Sequence, residues 1–190
     1  MSRMLKWWLT FSMSEHENRK DVTMARAPFQ VLVFPFRRSQ GRLEYALFFR
    51  TDDACWQGIA GGGEDDEMPL AAARREAHEE AGVPATARWI ELQTKSSVPV
   101  TCFRDSAQWG DELFVITEHC FAVEMPAGDL QLSSEHTTFR WVDYETALDL
   151  LKYDSNKTAL WELNQRLLGL GPRSKPASRT EGGAAAPADV

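Results

Sequence analysis

The stretch GGGEDDEMPLAAARREAHEEAGV, residues 61–83, decides the fold because it joins a glycine run, an acidic run and a helix rich in glutamate. Pro69 stands where a first helical turn would begin, and Gly82 stands where the helix would end. Proline is favoured in the first turn of a helix and glycine just past its end. The sequence therefore predicts a helix over residues 68–81.

Three glutamates of this helix lie within one turn. At about 100° per residue, Glu76, Glu79 and Glu80 fall in an arc of about 100°. Beside it lies a narrow face, which we predict to pack against the core, formed by Leu70, Ala73, Ala77 and Ala81. Glu76 and Glu80 form a like-charged i, i+4 pair, which destabilises an isolated helix by a few tenths of a kcal/mol. A divalent cation would remove this repulsion, and carboxylate oxygens are the ligands that Mg²⁺ prefers.

The alternative interpretation of these glutamates is a solvated acidic face. Arg75 lies four residues before Glu79 and could pair with it. The residues in front of the helix favour a binding site instead. Gly61, Gly62 and Gly63 predict a loop that adopts positive φ and lets the backbone approach a ligand. Backbone N–H groups at the start of a helix suit a phosphate.

The fixed positions of the stretch match the Nudix box, G-x5-E-x7-R-E-U-x-E-E-x-G-U, in which U is a bulky aliphatic residue. Those positions are filled by Gly61, Glu67, Arg75, Glu76, Glu79, Glu80, Gly82 and Val83. The one departure is Ala77 at the first aliphatic position. The chain thus resembles the Nudix hydrolases, which implies an α/β fold, an α/β/α sandwich with a mixed β-sheet. It also implies hydrolysis of a nucleoside diphosphate linked to another group.

The resemblance implies roles for the residues of the box. Glu76, Glu79 and Glu80 would bind Mg²⁺ or Mn²⁺, and Arg75 would orient a glutamate through a salt bridge. Glu67 would brace the junction between the glycines and the helix, and Gly61 and Gly62 would shape the backbone that contacts the substrate. Metal ions lower the pKa of a bound water, and a carboxylate accepts its proton. The predicted catalytic residues are Glu67, Arg75, Glu79, Glu80 and Glu135.

The flanks of the box resemble the dihydroneopterin triphosphate pyrophosphohydrolases, also described as dATP pyrophosphohydrolases, over about residues 28–168. Trp56-Gln57 stands in that group's register before Gly61, and the segments 117–125, 134–143 and 154–167 are also similar. The similarity implies Glu135 as a further metal ligand from outside the box. The alternative for Glu135 is a solvated loop carboxylate.

The same resemblance implies substrate contacts outside the box. Arg50, at the end of a predicted strand, would contact the phosphates, or else is a surface arginine. Ser155 and Asn156 would contact the substrate, or else cap the last helix, as serine and asparagine often do.

Several further residues have two interpretations. Trp56 packs beside the base or belongs to the core. His119 and His136 are candidate bases, although a lone histidine is usually structural. Trp109-Gly110 is a candidate substrate lid within the loop 104–111, which is shorter than the corresponding loop of the pyrophosphohydrolases and leaves pterin or purine selectivity open.

The charge and the cysteines narrow the function class. A formal charge of −7 over 190 residues does not indicate a general nucleic-acid binder, which would show a basic patch or stripe. Cys55, Cys102 and Cys120 are odd in number and lack C-x-x-C spacing, so they predict no disulfide framework and no zinc site. We predict core packing for all three and a location in the reducing cytoplasm.

The sequence divides into a polar N-terminal leader over 1–27, a Nudix domain over 28–170 and a disordered tail rich in Pro, Ala and Gly over 171–190. No apolar run reaches membrane-spanning length. The first residues fit an extension before a later start, at Met13 or Met24, at least as well as a signal peptide. Apolar patterns predict strands at 28–36, 43–50, 87–94, 97–103, 112–125 and 137–143, and helices at 144–154 and 157–169.

The leading functional prediction is a metal-dependent pyrophosphohydrolase that cleaves a nucleoside or pterin triphosphate to a monophosphate and pyrophosphate. The alternatives are a hydrolase of another nucleotide conjugate, such as a dinucleoside polyphosphate or ADP-ribose, and a non-catalytic nucleotide sensor. The predicted partner is a small-molecule substrate, with neither nucleic acid nor membrane. The pattern does not determine the oligomeric state.

Overall fold

The computed structural model describes residues 25–50, 53–104, 106–125, 130–133 and 136–171, with the side chains of residues 136 and 137 left out. The strands are β1 (Arg26–Ser39), β2 (Arg42–Arg50), β3 (Cys55–Gln57), β4 (Ile59–Glu64), β5 (Arg88–Pro99), β6 (Val115–Glu124) and β7 (His136–Val142). The helices are α1 (Pro69–Ala81), α2 (Tyr144–Leu150) and α3 (Asp154–Leu167). Two short 3-10 turns lie at Val100–Cys102 and Ser106–Trp109.

The described strands form one mixed sheet in the order β3-β2-β1-β6-β5, with β4 added to β1 and β7 added to β2. The sheet is mixed because β1 pairs parallel with β6 and antiparallel with β4 and β2. β1 is long enough to pair with β4 along its first part, Arg26–Val33, and with β2 along its last part, Phe36–Ser39. Because β1 pairs with β4 along one part and with β2 along the other, β4 lies directly against α1.

Alternation along β1 produces a core on each face of the sheet. Val31 and Val33 belong to the cluster that holds the alanines of α1. Leu32 and Phe34 belong to the cluster that holds the buried side chains of α3. Successive side chains of a strand point to opposite faces, so one apolar strand serves both helical layers. The predicted α/β class with a mixed sheet between helices is confirmed.

Helix α1 ends at the predicted residue and starts one residue later than predicted. It starts at Pro69 and is closed by Gly82, whose φ of 66° is in the left-handed region. Ala73, Ala77 and Ala81 are buried as the helical wheel predicts, with Leu70 packed against the same cluster. The small side chains let the helix approach the sheet closely, which brings its glutamates to the edge of β4.

The glycine run does not form the predicted loop, and the prediction of positive φ there is wrong. Gly61, Gly62 and Gly63 lie in β4, and none of them is among the described glycines with positive φ. Glycine is needed at two of these positions because neighbouring side chains leave no room for a Cβ. A Cβ at Gly61 would overlap the side chain of Glu76, and one at Gly63 would overlap Phe29. The glycines therefore admit the protein's own side chains to the surface of β4.

Other boundaries differ from the sequence prediction. The two strands expected at 87–94 and 97–103 are one strand, β5, because its pairing with β6 continues past a register shift between Glu91 and Lys95. β5 ends at Pro99, and the chain enters a 3-10 turn. The short strands β3 and β4 were not predicted, since their few residues carry little periodic signal.

Cys55 and Cys120 are buried as expected, but Cys102 is exposed, so the prediction of core packing is wrong for it. It lies in the turn where the chain leaves the sheet. β1 begins at Arg26, two residues before the predicted domain boundary. Residues 1–24 of the leader and 172–190 of the tail lie outside the described residues. No helix in the described ranges is both long and apolar enough to cross a membrane.

Candidate active site

A cavity of about 620 Å³ lies where α1, β4, β1, β6 and the start of α3 meet. Four residues of the predicted box contribute to its lining, namely Gly61, Gly62, Glu76 and Glu80. The predicted substrate contacts Arg50, Ser155 and Asn156 line it as well. The fold thus brings together residues that the sequence places more than a hundred positions apart.

The three glutamates of α1 differ in exposure. Glu80 is 5% exposed and the side chain of Glu76 is 15% exposed, and both border the cavity. The side chain of Glu79 is 58% exposed and does not line the cavity. Glu76 and Glu80 are one helical turn apart and share a face, whereas Glu79 points toward solvent and Arg75.

Arg75 connects β4, the acidic turn that follows it and α1, through contacts with Gly62, Glu67 and Glu76. Its Nη2 donates to the carbonyl oxygen of Gly62 at 2.7 Å and to Oε2 of Glu67 at 3.0 Å. Its Nη1 lies 3.1 Å from Oε1 of Glu76 and 3.2 Å from Oε2 of Glu79. Such a multidentate guanidinium holds its partners in defined positions. The contact with Glu67 is the one that a bracing role requires.

Glu76 carries an unfavourable negative charge. Burial raises its pKa to about 7, with Arg75 opposing the shift and the nearby Glu80 and Glu79 adding to it. Crowded carboxylates at the edge of a polar cavity are the donor set that a hard divalent cation stabilises. Within the described ranges no group of three or more His, Cys, Asp or Glu side chains is arranged around a common point. Glu135, the predicted additional ligand, lies outside the described residues.

The raised pKa predicts how pH affects the stability of the metal-free protein. The folded-state pKa of Glu76, about 7, lies above the reference value of 4.5. The folded state therefore binds the proton more tightly, and the free energy of unfolding falls as pH rises between these values. In EDTA at pH 8, Glu76→Gln should raise the free energy of unfolding by up to about 3 kcal/mol, and at pH 5 by about 1 kcal/mol or less.

Urea unfolding at the two pH values measures this difference. Glu124→Gln is the matched control, because Glu124 pairs only loosely with Arg88 at 3.6 Å and its side chain is 38% exposed. An equal gain for Glu76→Gln at both pH values would contradict the prediction.

The start of α3 contributes the polar side chains of Ser155 and Asn156 to the cavity wall, and these side chains do not cap the helix. The N-cap residue is Tyr153, with no side-chain capping bond, so the capping alternative for Ser155 and Asn156 is wrong. Asn156 is 3% exposed. Its Oδ1 accepts from the backbone N–H of Gly58 at 3.5 Å, and its Nδ2 donates to Oγ of Ser155 at 3.4 Å. Both side chains are held at the cavity wall.

The two tryptophan candidates are fixed by packing. Trp56 contacts Phe49 edge to face and does not line the cavity, so the core interpretation describes it. The indole Nε1 of Trp109 donates to the carbonyl oxygen of Arg26 at 2.7 Å, and its ring lies edge-on to Phe103. Phe103 and Arg26 line the cavity. Trp109 does not line it and instead supports these two residues through its contacts with them.

The histidine candidates receive no support as bases. His119 packs edge-on against Phe29, burial lowers its pKa, and it does not line the cavity. The side chain of His136 lies outside the described part of the chain.

Sequence reasoning missed Glu118, Gln30 and Gln57, which also line the cavity. Glu118 is 3% exposed and Gln57 is 6% exposed. The signal for Glu118 was available, because it lies two residues from both Ile116 and Cys120 on β6 and therefore shares their buried face. A charged residue at an inward position of an apolar strand indicates a functional or paired carboxylate.

A NUDIX domain model matches residues 27–162. The chain therefore belongs to the Nudix family, and its fold is that of a hydrolase that cleaves phosphoanhydride bonds. It is 26% identical to the dihydroneopterin triphosphate diphosphatase of Escherichia coli over 137 residues, which cover 71% of this chain and 91% of that protein.

Two other proteins show further similarity. The crystal structure of a protein described as a NUDIX hydrolase, from Listeria monocytogenes, is 40% identical with a TM-score of 0.69, and covers 75% of this chain and 96% of that one. An octanoyltransferase from Myxococcus xanthus is 34% identical over 101 residues, or 52% of this chain. The chain spans only 25% of the length of that relative.

Proposed function

We propose that the protein is a divalent-metal-dependent pyrophosphohydrolase that cleaves a nucleoside or pterin triphosphate to the monophosphate and pyrophosphate. The main support is that the buried carboxylate of Glu80 and the partly buried carboxylate of Glu76 share one cavity with the cationic side chain of Arg50. A volume of about 620 Å³ falls in the usual range of small-molecule sites. The E. coli relative is described as acting on a pterin triphosphate, which supports this substrate class.

The two carboxylates that border the cavity, Glu76 and Glu80, fit Mg²⁺ or Mn²⁺ as ligands. The resemblance adds Glu79, which does not line the cavity, and Glu135, which lies outside the described residues, as further proposed ligands. Such an ion, when bound, neutralises phosphate charge and lowers the pKa of a bound water. A box carboxylate accepts the proton of the attacking water. The water oxygen bonds to the α-phosphorus, and the bond from that phosphorus to the bridging oxygen breaks, which releases pyrophosphate.

The remaining residues position these groups. Arg75 and Glu67 hold α1 against β4, so that Glu76 and Glu80 keep their orientation toward the cavity. Arg50 offsets phosphate charge, and Ser155 and Asn156 offer hydroxyl and amide groups to the substrate. Gly61 and Gly62 leave the surface of β4 open. We also place the protein in the cytoplasm, since its cysteines carry free thiols and reducing compartments maintain that state.

A substrate panel tests the proposal. Dihydroneopterin triphosphate, the four dNTPs, a dinucleoside polyphosphate and ADP-ribose are incubated with Mg²⁺, and phosphate and pyrophosphate release are measured separately. We expect pyrophosphate from at least one triphosphate and none after EDTA treatment. Turnover of only the dinucleotide or ADP-ribose would refute the triphosphate assignment, and nucleotide binding without turnover would favour a sensor.

A further inference from the structure

A row of polar side chains crosses the sheet beside the box. Gly62, Gln30 and Glu118 are register partners on β4, β1 and β6, and Ser96 on β5 pairs with Glu118. Paired residues on neighbouring strands point to the same face. Nε2 of Gln30 donates to Oε2 of Glu118 at 2.9 Å, and Oγ of Ser96 donates to Oε1 at 2.8 Å.

These two hydrogen bonds leave the carboxylate of Glu118 able to accept further hydrogen bonds. A carboxylate has about four acceptor sites, two on each oxygen. Each oxygen of Glu118 receives one described donor, so each keeps a further site. Glu118 lines the cavity at 3% exposure, and a buried charge that is incompletely hydrogen-bonded is unfavourable. A ligand with two adjacent N–H donors would complete it in bidentate fashion.

Gln57 independently indicates that the cavity binds a polar ligand. It lines the cavity at 6% exposure, and its Nε2 is buried with no hydrogen-bond partner among the described residues. A buried amide donor normally has a partner, so an acceptor atom of a ligand would satisfy it. The cavity therefore presents an acceptor pair at Glu118 and an unsatisfied donor at Gln57.

The placement suits the base of the substrate. Glu118 and Gly62 are separated by one intervening strand, which sets their backbones about 10 Å apart at about 4.8 Å per strand. Gly62 adjoins the glycine that packs against Glu76. The separation leaves room for a sugar, or for the side chain of a pterin, between a base at Glu118 and phosphates at the box. Val98 and Phe103 supply apolar lining on that side.

We propose that Glu118 determines base specificity by accepting two adjacent N–H donors, the ring N–H and the 2-amino group of a 2-amino-4-oxopyrimidine ring. Guanine and pterin share this edge. Adenine presents one amino donor beside a ring acceptor, which would face a carboxylate oxygen without a proton between them. This inference rests on the proposed triphosphate activity, and it selects guanine and pterin triphosphates over dATP.

The test compares four enzymes on four substrates. Wild type, Glu118→Gln, Ser96→Ala and the control Glu124→Gln are assayed with dGTP, dITP, dATP and dihydroneopterin triphosphate in Mg²⁺, after thermal unfolding has established that each is folded. Glu124 lies on the same strand and does not line the cavity. dITP keeps the ring N–H of guanine and lacks its 2-amino group.

Hydrogen bonds to a charged group correspond to about 10- to 100-fold in kcat/KM. Wild type and Glu124→Gln should prefer dGTP and the pterin triphosphate to dATP by about 10-fold or more, with dITP between. Glu118→Gln should lose that preference, with dATP turnover within about threefold of wild type. Ser96→Ala removes the hydrogen bond to Oε1 of Glu118 and should reduce the same substrate preference by a smaller factor. This variant keeps the test decisive if Glu118→Gln folds poorly.

Equal losses on all four substrates, or a wild-type preference for dATP, would overturn the assignment of Glu118. Binding of guanosine, neopterin and adenosine, followed by NMR, separates this result from failure of the proposed function, because these ligands carry no phosphate. Binding of guanosine and neopterin that depends on Glu118, without triphosphate hydrolysis, would retain the base site and reject the function. Binding that is indifferent to Glu118 would overturn the inference.

Discussion

Replacing Glu80 with glutamine is expected to lower kcat for pyrophosphate release by about 1,000-fold or more, within the range seen for groups that act on a proton in the transition state. Glu80 is 5% exposed and lines the cavity beside Glu76. Glutamine has nearly the same shape, so the packing of α1 should persist. What is lost is a negative charge that can bind a cation or accept a proton.

The fold should survive this change, because it also removes the repulsion between Glu80 and Glu76. Thermal unfolding in EDTA should therefore show no loss of stability, while stabilisation by added Mg²⁺ should shrink, since ligand binding stabilises by mass action. Glu124→Gln serves as the control and should retain wild-type kcat. Wild-type turnover by a folded Glu80→Gln variant would remove Glu80 from the active site.

The second large effect is expected for Gly61→Ala. A methyl group at Gly61 would occupy the space now filled by the side chain of Glu76. That side chain is flexible, so it can move aside, and the stability cost should stay within about 2 kcal/mol. A displaced Glu76 no longer faces the cavity in its present position. We expect kcat to fall by about 100-fold, in line with the cost of misplacing a positioned group, and the affinity for Mg²⁺ to weaken.

Gly63→Ala provides the contrast on the same strand. There the added methyl group would press against the ring of Phe29 instead of a carboxylate, so stability should fall while the affinity of the folded protein for Mg²⁺ changes little. Gly171→Ala is the neutral control, because an added Cβ there meets nothing within 4 Å. Calorimetric titration with Mg²⁺ and urea unfolding distinguish the variants. Full activity in Gly61→Ala would show that the position of Glu76 is unimportant.

Local sequence was sufficient for the part of the site that one helix supplies. The limits of α1 follow from Pro69 and Gly82, and the separation of its alanine face from Glu76 and Glu80 follows from a period of about 3.6 residues per turn. These properties depend on residues within a few turns of one another. For the same reason the spacing of the box could be recognised without knowledge of the fold.

Sequence reasoning failed where distant strands decide the outcome. The glycine run was assigned to a loop from its composition, yet pairing with β1 makes it a strand, and Glu76 explains the glycine at position 61. Glu79 is exposed whereas its neighbour Glu80 is buried, and this difference depends on which face of α1 the sheet covers.

By itself, then, the sequence determined the helix that carries the carboxylates, the class of sheet and the family of the chain, because periodicity and motif spacing are local. Only the tertiary structure decided which polar groups share the cavity. Gln30 bonds to Glu118 across 88 positions, and Asn156 accepts from Gly58 across 98. Such pairs are set by strand register and helix packing, which depend on the whole core and leave almost no trace in the order of neighbouring residues.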